Sequence, residues 1–242
     1  MINTAFTDTF LNSKTANKQK QKILLLIGGI TRNLYAFDDL IIKNNINQVG
    51  YQRYYTDDTG LMAFGESNTK YLYIKEINCE KYFDSKLLAI FSKPFLLGLP
   101  FRLWDKLGDY FKAILNEKKM LEISNCIQNE IEAAQNTYGL EVDIIAHSMG
   151  TLLALGAQAK VSDVYLFGSP LTSKYNVIKH TASNHLAKHY KLSSKNIYYG
   201  WSRYDVVCSS ASNFKSIEYH CSHALHEYLA EALKKGALCL KN

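Results

Sequence analysis

Short, continuous apolar runs alternate along this chain with longer segments of mixed polarity. An apolar run bounded by turn residues reads as a strand buried on both faces. The first is KILLLI at 22–27, closed by Gly28-Gly29. Others stand at 141–146 (EVDIIA), 161–167 (VSDVYLF), 196–201 (NIYYGW) and 214–219 (FKSIEY), with shorter ones at 49–55 and 71–77. Between them, 31–43, 112–138, 151–160 and 224–235 read as helices. In 112–138, Ile114, Leu115, Leu121, Ile127 and Ile131 share one side, and Gly139 supplies the stop. Strands alternating with helices predict an α/β protein with a mostly parallel central sheet flanked by helices. Residues 1–21 read as a polar N-terminal arm. Residues 22–242 read as a single domain carrying an insertion at about 56–111.

Composition narrows the class. With 11 Phe, 17 Tyr and 2 Trp in 242 residues there is ample core material, and 13 Gly with 3 Pro exclude collagen-like and low-complexity chains. The five cysteines (Cys79, Cys126, Cys208, Cys221, Cys239) are odd in number and contain no CxxC, which predicts free thiols. The net charge of +6 comes from dispersed lysines with no run of four, which reads as a solvated surface and predicts no nucleic-acid partner. The first 22 residues are too polar, and the run at 23–27 too short, for a signal peptide. The most apolar stretch, 87–104, is broken by Lys93, Pro94, Gly98, Pro100 and Arg102, so no membrane span is expected and the expected location is the cytoplasm.

Candidate chemistry centres on Ala146-His147-Ser148-Met149-Gly150, set between a buried strand and a helix of small residues. This is the context of a G-x-S-x-G nucleophile elbow, with alanine at the first glycine. Small neighbours let the turn be sharp enough to lift the serine hydroxyl clear of the sheet. The helix that follows points its positive end at the site, and the Met149 N–H becomes an oxyanion donor. The alternative is an ordinary N-cap serine.

A nucleophilic serine needs a base, and the base needs an orienting group, in the chain order Ser, acid, His. Asp163 stands at the start of a strand, Glu218 inside one, and Glu227 and Glu231 in the last helix. Asp205 follows the strand at 196–201 by a few residues, where ligands bind in open α/β sheets. His223, just ahead of the last helix, is the candidate base, with His220 its rival. The second oxyanion donor should come from the loop after the first strand, Gly28-Gly29-Ile30-Thr31, through the N–H of Ile30 or Thr31. No G-x-G-x-x-G or P-loop pattern marks a phosphate site, and HLAKH at 185–189 lacks the glutamate of a zinc-protease helix. Neither a cofactor nor a metal is expected.

The segments ILLLIGGI (23–30), VDIIAHSMGTLLAL (142–155), VYLFGSPL (164–171), WSRYDVV (201–207) and HCSHALHEYL (220–229) together resemble the α/β-hydrolase superfamily, and within it the lipases and esterases. The chain departs from that pattern at Gly28-Gly29, where His-Gly is familiar, and at Ala146. The resemblance implies an α/β-hydrolase fold and a helical lid or cap. The apolar density of 78–111 suits such a lid, with Phe95, Leu99 and Trp104 lining an acyl pocket or making transient contact with a lipid surface. The implied function is a serine hydrolase cleaving carboxylic esters, with lipid or other apolar acyl esters as the small-molecule substrate. The same triad would serve an acyl thioesterase or acyltransferase, and a non-catalytic binding protein of the same fold is a third reading.

Overall fold

The computed structural model describes residues 20–29, 48–49, 61–63, 69–77, 116–205, 207–210 and 215–235. The first apolar run forms β1 (Lys20–Ile27), followed by β2 (Gln48–Val49), β3 (Leu61–Ala63) and β4 (Thr69–Ile77). Then come α1 (Glu117–Tyr138), β5 (Glu141–His147), α2 (Met149–Gly156), β6 (Lys160–Phe167) and a 3₁₀ turn (Pro170–Thr172). The chain continues through α3 (Asn176–His189), β7 (Ser193–Ser202), β8 (Lys215–Tyr219) and α4 (Leu225–Lys234). The strands form one eight-stranded sheet in the order β2-β3-β4-β1-β5-β6-β7-β8. From β4 through β1 to β8 every pairing is parallel, while β3 runs antiparallel to both β4 and β2.

Alternation along the strands divides the core between two faces. Ile23, Leu25 and Ile27 join Val142, Ile144, Ala146, Val164 and Leu166 against α1, α2 and α3. Leu24 and Leu26 join Ile145, Tyr165, Phe167 and Tyr219 against Leu225, Tyr228, Leu229 and Ala232 of α4. Because both faces are covered, β1, β5 and β6 are predominantly apolar, which is why they read as near-continuous apolar runs.

The helices deviate from the sequence pattern in informative ways. On α1 the buried stripe is Met120, Ile123, Ser124, Ile127, Ile131 and Ala134, so Leu121 is only half-buried beside it. The Asn116 side chain caps its start by accepting the Lys119 N–H at 3.3 Å, and Gly139 ends it at φ 64°. Helix α2 stops at Gly156, short of the expected 160. Its last turn packs against Ser124, and Ala157 turns extended so that the chain reaches β6. Helix α3 is absent from the periodicity because its buried positions among the described side chains are Ile178, Ala182 and His185, a stripe that includes a small and a polar residue.

Strands β3 and β4 lie within the stretch expected as an insertion, so the sheet claims 61–63 and 69–77. Residues 78–111, with Phe95, Leu99 and Trp104, lie outside the described residues, as do 30–47 and 1–19. Cys126, Cys208 and Cys221 are free thiols, while Cys79 and Cys239 lie outside the described residues. No helix among the described residues is long and apolar enough to cross a membrane.

A buried charge cluster ties the amino ends of the parallel strands together. Lys22 Nζ on β1 reaches Asp143 at 2.9 and 3.0 Å and Asp163 at 2.8 Å. The Asp163 N–H donates to Asp143 Oδ1 at 3.0 Å, and Asn196 donates to Asp163 Oδ1 at 2.8 Å. Burial works against the ammonium charge, but the bonds to Asp163 and Asp143 outweigh it and raise the Lys22 pKa. Asp163, set aside above as a catalytic acid, therefore has a structural task across β1, β5, β6 and β7.

Candidate active site

The strand order reverses at one place, between β1 and β5. Strands β2, β3 and β4, which follow β1, lie on one side of it, whereas β6, β7 and β8, which follow β5, lie on the other. Loops that leave neighbouring strands in opposite directions open a cleft at the strands' carboxyl ends, where ligands bind in such sheets. The two loops here carry Gly28-Gly29 and Ser148.

Ser148 turns the chain from β5 into α2 with φ 52° and ψ −126°, the only positive φ of a non-glycine among the described residues. Such a conformation costs on the order of 1–3 kcal/mol and persists only where its surroundings enforce it. The enforcement is visible. The Ser148 N–H donates to Phe167 O at 2.9 Å, and the Thr151 N–H and hydroxyl donate to Ser148 O at 3.0 and 2.7 Å. Gly150 permits the helix to close on β1, for a Cβ there would lie 2.4 Å from Gly28 O and 2.6 Å from Ile27 O. Ser148 occupies the N-cap position of α2, yet its side chain makes no capping bond. The hydroxyl is directed elsewhere.

It meets the imidazole of His223, with Oγ 3.0 Å from Nε2. The other ring nitrogen, Nδ1, donates to Asp205 Oδ2 at 2.8 Å. That bond fixes the tautomer with a proton on Nδ1, leaving Nε2 free to accept the serine proton. Of the two candidate bases, His223 lies beside Ser148, whereas His220 is exposed, beside the ring of Tyr204. Gly168 allows the ring to sit there. At φ 58°, it lies under the contact, and a Cβ would stand 3.0 Å from His223 Cε1 and 3.1 Å from Asp205 Oδ2.

Asp205 is fully buried and has no shortage of donors. Oδ1 accepts the N–H groups of Val207 and Cys208 at 2.7 and 3.4 Å. Besides His223, Oδ2 accepts the Tyr228 hydroxyl at 2.7 Å and the Cys208 thiol at 3.1 Å. Burial alone would raise this carboxyl's pKa. The bonds and charge from His223, with the Tyr228 and Val207 bonds, outweigh it and hold Asp205 well below the usual carboxylate range. It is an anion at any pH where the site would work. Burial pushes the Cys208 thiol up to about 12, so it remains a thiol.

His147, one residue before the serine, is buried beside His223. Its Nε2–H donates to the carbonyl oxygen of His223 at 2.9 Å, and the two rings lie 4.8 Å apart. Burial first, and the neighbouring His223 charge second, depress its pKa to about 3, so it stands neutral. Its Nδ1 has no partner among the described residues. No sequence motif marks His147, Tyr228, Cys208 or Gly168 as part of this cluster. The only sequence signal was position: each stands within a few residues of Ser148, Asp205, His223 or the GSP segment.

Of the predicted oxyanion donors, Met149 is the first residue of α2, where the helix itself offers its backbone N–H no acceptor. Ile30 lies outside the described residues. No group of three or more His, Cys, Asp or Glu is placed to hold a metal among the described residues. Together the serine, imidazole and carboxylate form a chain along which a proton can pass from Oγ to Nε2 while a buried anion stabilises the imidazolium. Compared with known proteins, the chain matches no protein-family model and no curated protein.

Proposed function

We propose that the protein is a serine hydrolase of carboxylic esters with an α/β-hydrolase fold. The observation that carries this reading is the chain Ser148–His223–Asp205, with bonds of 3.0 and 2.8 Å, built on a positive-φ serine at a helix start. In this mechanism Ser148 Oγ attacks the ester carbonyl as His223 Nε2 removes its proton. The imidazolium, stabilised by Asp205, then protonates the departing alcohol. Water, activated by the same imidazole, releases the acid from the acyl-enzyme. The Met149 N–H, with a second N–H from the loop after β1 (Ile30 in the sequence reading), would hold the oxyanion.

The apolar block at 78–111 supports an apolar acyl group as substrate, with Phe95, Leu99 and Trp104 as wall residues. Each buried CH₂ adds about 0.8 kcal/mol of transfer free energy, which favours longer chains over acetate.

The test is a fluorophosphonate probe together with a nitrophenyl ester series from acetate to decanoate. Labelling at Ser148 and hydrolysis are expected, and both are expected to vanish in Ser148→Ala, with kcat reduced by on the order of 10⁶. A folded Ser148→Ala protein that still labels and hydrolyses as the wild type does would end this reading. Rates on an acyl-CoA measured alongside would show whether thioesters are preferred.

A further inference from the structure

Oδ2 of Asp205 is unusually crowded. It accepts His223 Nδ1–H at 2.8 Å, the Tyr228 hydroxyl at 2.7 Å and the Cys208 thiol at 3.1 Å. A carboxylate oxygen has about two good accepting directions, so three donors on one oxygen compete for the same charge. The two additional donors are fixed as a unit: Cys208 Sγ and Tyr228 OH are 3.3 Å apart. The Tyr228 ring packs at 5.5 Å from Phe167 and 6.0 Å from Tyr219, and Cys208 is pinned to Ser173 by a backbone bridge. Packing alone would be served by phenylalanine and alanine. Here two buried polar hydrogens converge on the acid.

Building on the triad reading above, we propose that Tyr228 and Cys208 are positioning residues that share Asp205 Oδ2 with His223, temper the carboxylate's hold on the imidazole, and so set the pH at which the Ser148–His223 pair becomes reactive. A carboxylate whose charge is already spent on fixed donors stabilises an imidazolium less. Removing a donor leaves more of that charge for the imidazolium, and a higher pH is then needed to free Nε2 as a base.

The titratable and charged groups around the imidazole come from several elements. Asp205 and Cys208 lie in the loop after β7, His147 ends β5, and Tyr228 and Glu227 belong to α4. Glu227 is held by the Ser222 N–H at 2.6 Å, and Lys174 Nζ grips the Asp205 carbonyl at 2.6 Å. His147 stays neutral, and burial raises both Cys208 and Tyr228, so neither donor loses its proton across the working range.

The experiment is kcat/KM against pH for nitrophenyl butyrate, with fluorophosphonate labelling rates in parallel. The proteins are wild type, Tyr228→Phe, Cys208→Ala, Cys208→Ser and Ser148→Ala. Tyr228→Phe keeps the packed ring, and Cys208→Ala removes little volume; melting curves verify both. The acidic limb of both profiles is expected to move up by about half a pH unit or more in Tyr228→Phe and Cys208→Ala. Cys208→Ser restores a donor and should move it back. Rates that fall equally at every pH, with the limb unmoved and labelling still dependent on Ser148, would overturn this proposal alone. Undiminished labelling of Ser148→Ala would overturn the triad reading and this proposal with it.

Discussion

His147 Nε2–H donates to the carbonyl oxygen of His223, 2.9 Å away, so the residue before Ser148 holds the backbone of His223. Two sides of the site that arrive from β5 and from the approach to α4 are thereby locked at a fixed separation. Replacing His147 by phenylalanine keeps the ring volume but removes the donor. A neutral hydrogen bond contributes about 0.5–1.5 kcal/mol, which corresponds to a loss of up to about tenfold. That loss is expected in kcat with KM little changed, because the tie acts on the alignment of His223 with Ser148. Steady-state kinetics on a nitrophenyl ester would measure it.

Gly168 should tolerate no side chain. A Cβ would press on His223 Cε1 at 3.0 Å, and the backbone is already at φ 58°. Gly168→Ala is expected to cost about 1–2 kcal/mol for the left-handed conformation. It should also reduce kcat by about tenfold or more by displacing the imidazole. A urea titration separates the first effect from the second, which initial rates report on the folded fraction.

Lys22 is the partner of two buried carboxylates. Lys22→Met removes the ammonium that Asp143 and Asp163 share. Breaking a buried pair on one side costs about 3–5 kcal/mol. Urea unfolding should show this, while the protein that remains folded still labels at Ser148, since the cluster ties the amino ends of the strands and the candidate site lies at their carboxyl ends.

Two buried histidines should make the fold acid-sensitive well above the carboxylate range. Burial lowers His147 from 6.5 to about 3 and His185 from 6.5 to about 4. For His185 the neighbouring His189 adds to the effect of burial. With a depressed folded value, the unfolded chain binds more protons below pH 6.5. Stability is therefore full above that pH and falls as pH drops toward 3–4. Each site contributes up to about 1.4 kcal/mol per pH unit in that window. Asp205, depressed below its unfolded value of 3.8, adds a loss that begins only at lower pH. Urea midpoints between pH 7 and 4 should fall steadily in the wild type, and with a shallower slope in His147→Phe.

The apolar runs of β1, β5 and β6 were legible because strands covered on both faces are apolar at most positions. Ser148 was legible too, since a sharp strand-to-helix turn demands Ala146 and Gly150 around it. Chain order and loop position pointed to Asp205 as the candidate acid and to His223 or His220 as the candidate base. These are local constraints, each readable within a few residues. What only the tertiary structure decided were relations between distant segments: the imidazole that reaches Ser148 across 75 positions, the Tyr228 and Cys208 donors on Asp205, and the Lys22 cluster spanning β1, β5 and β6. Helix α3 belongs with them, because its burial depends on Ala182 and His185 meeting a surface the local pattern cannot show. Hydrogen bonds and ion pairs act over about 3 Å, whereas sequence separation carries no information about such distances until the sheet has set its strand order.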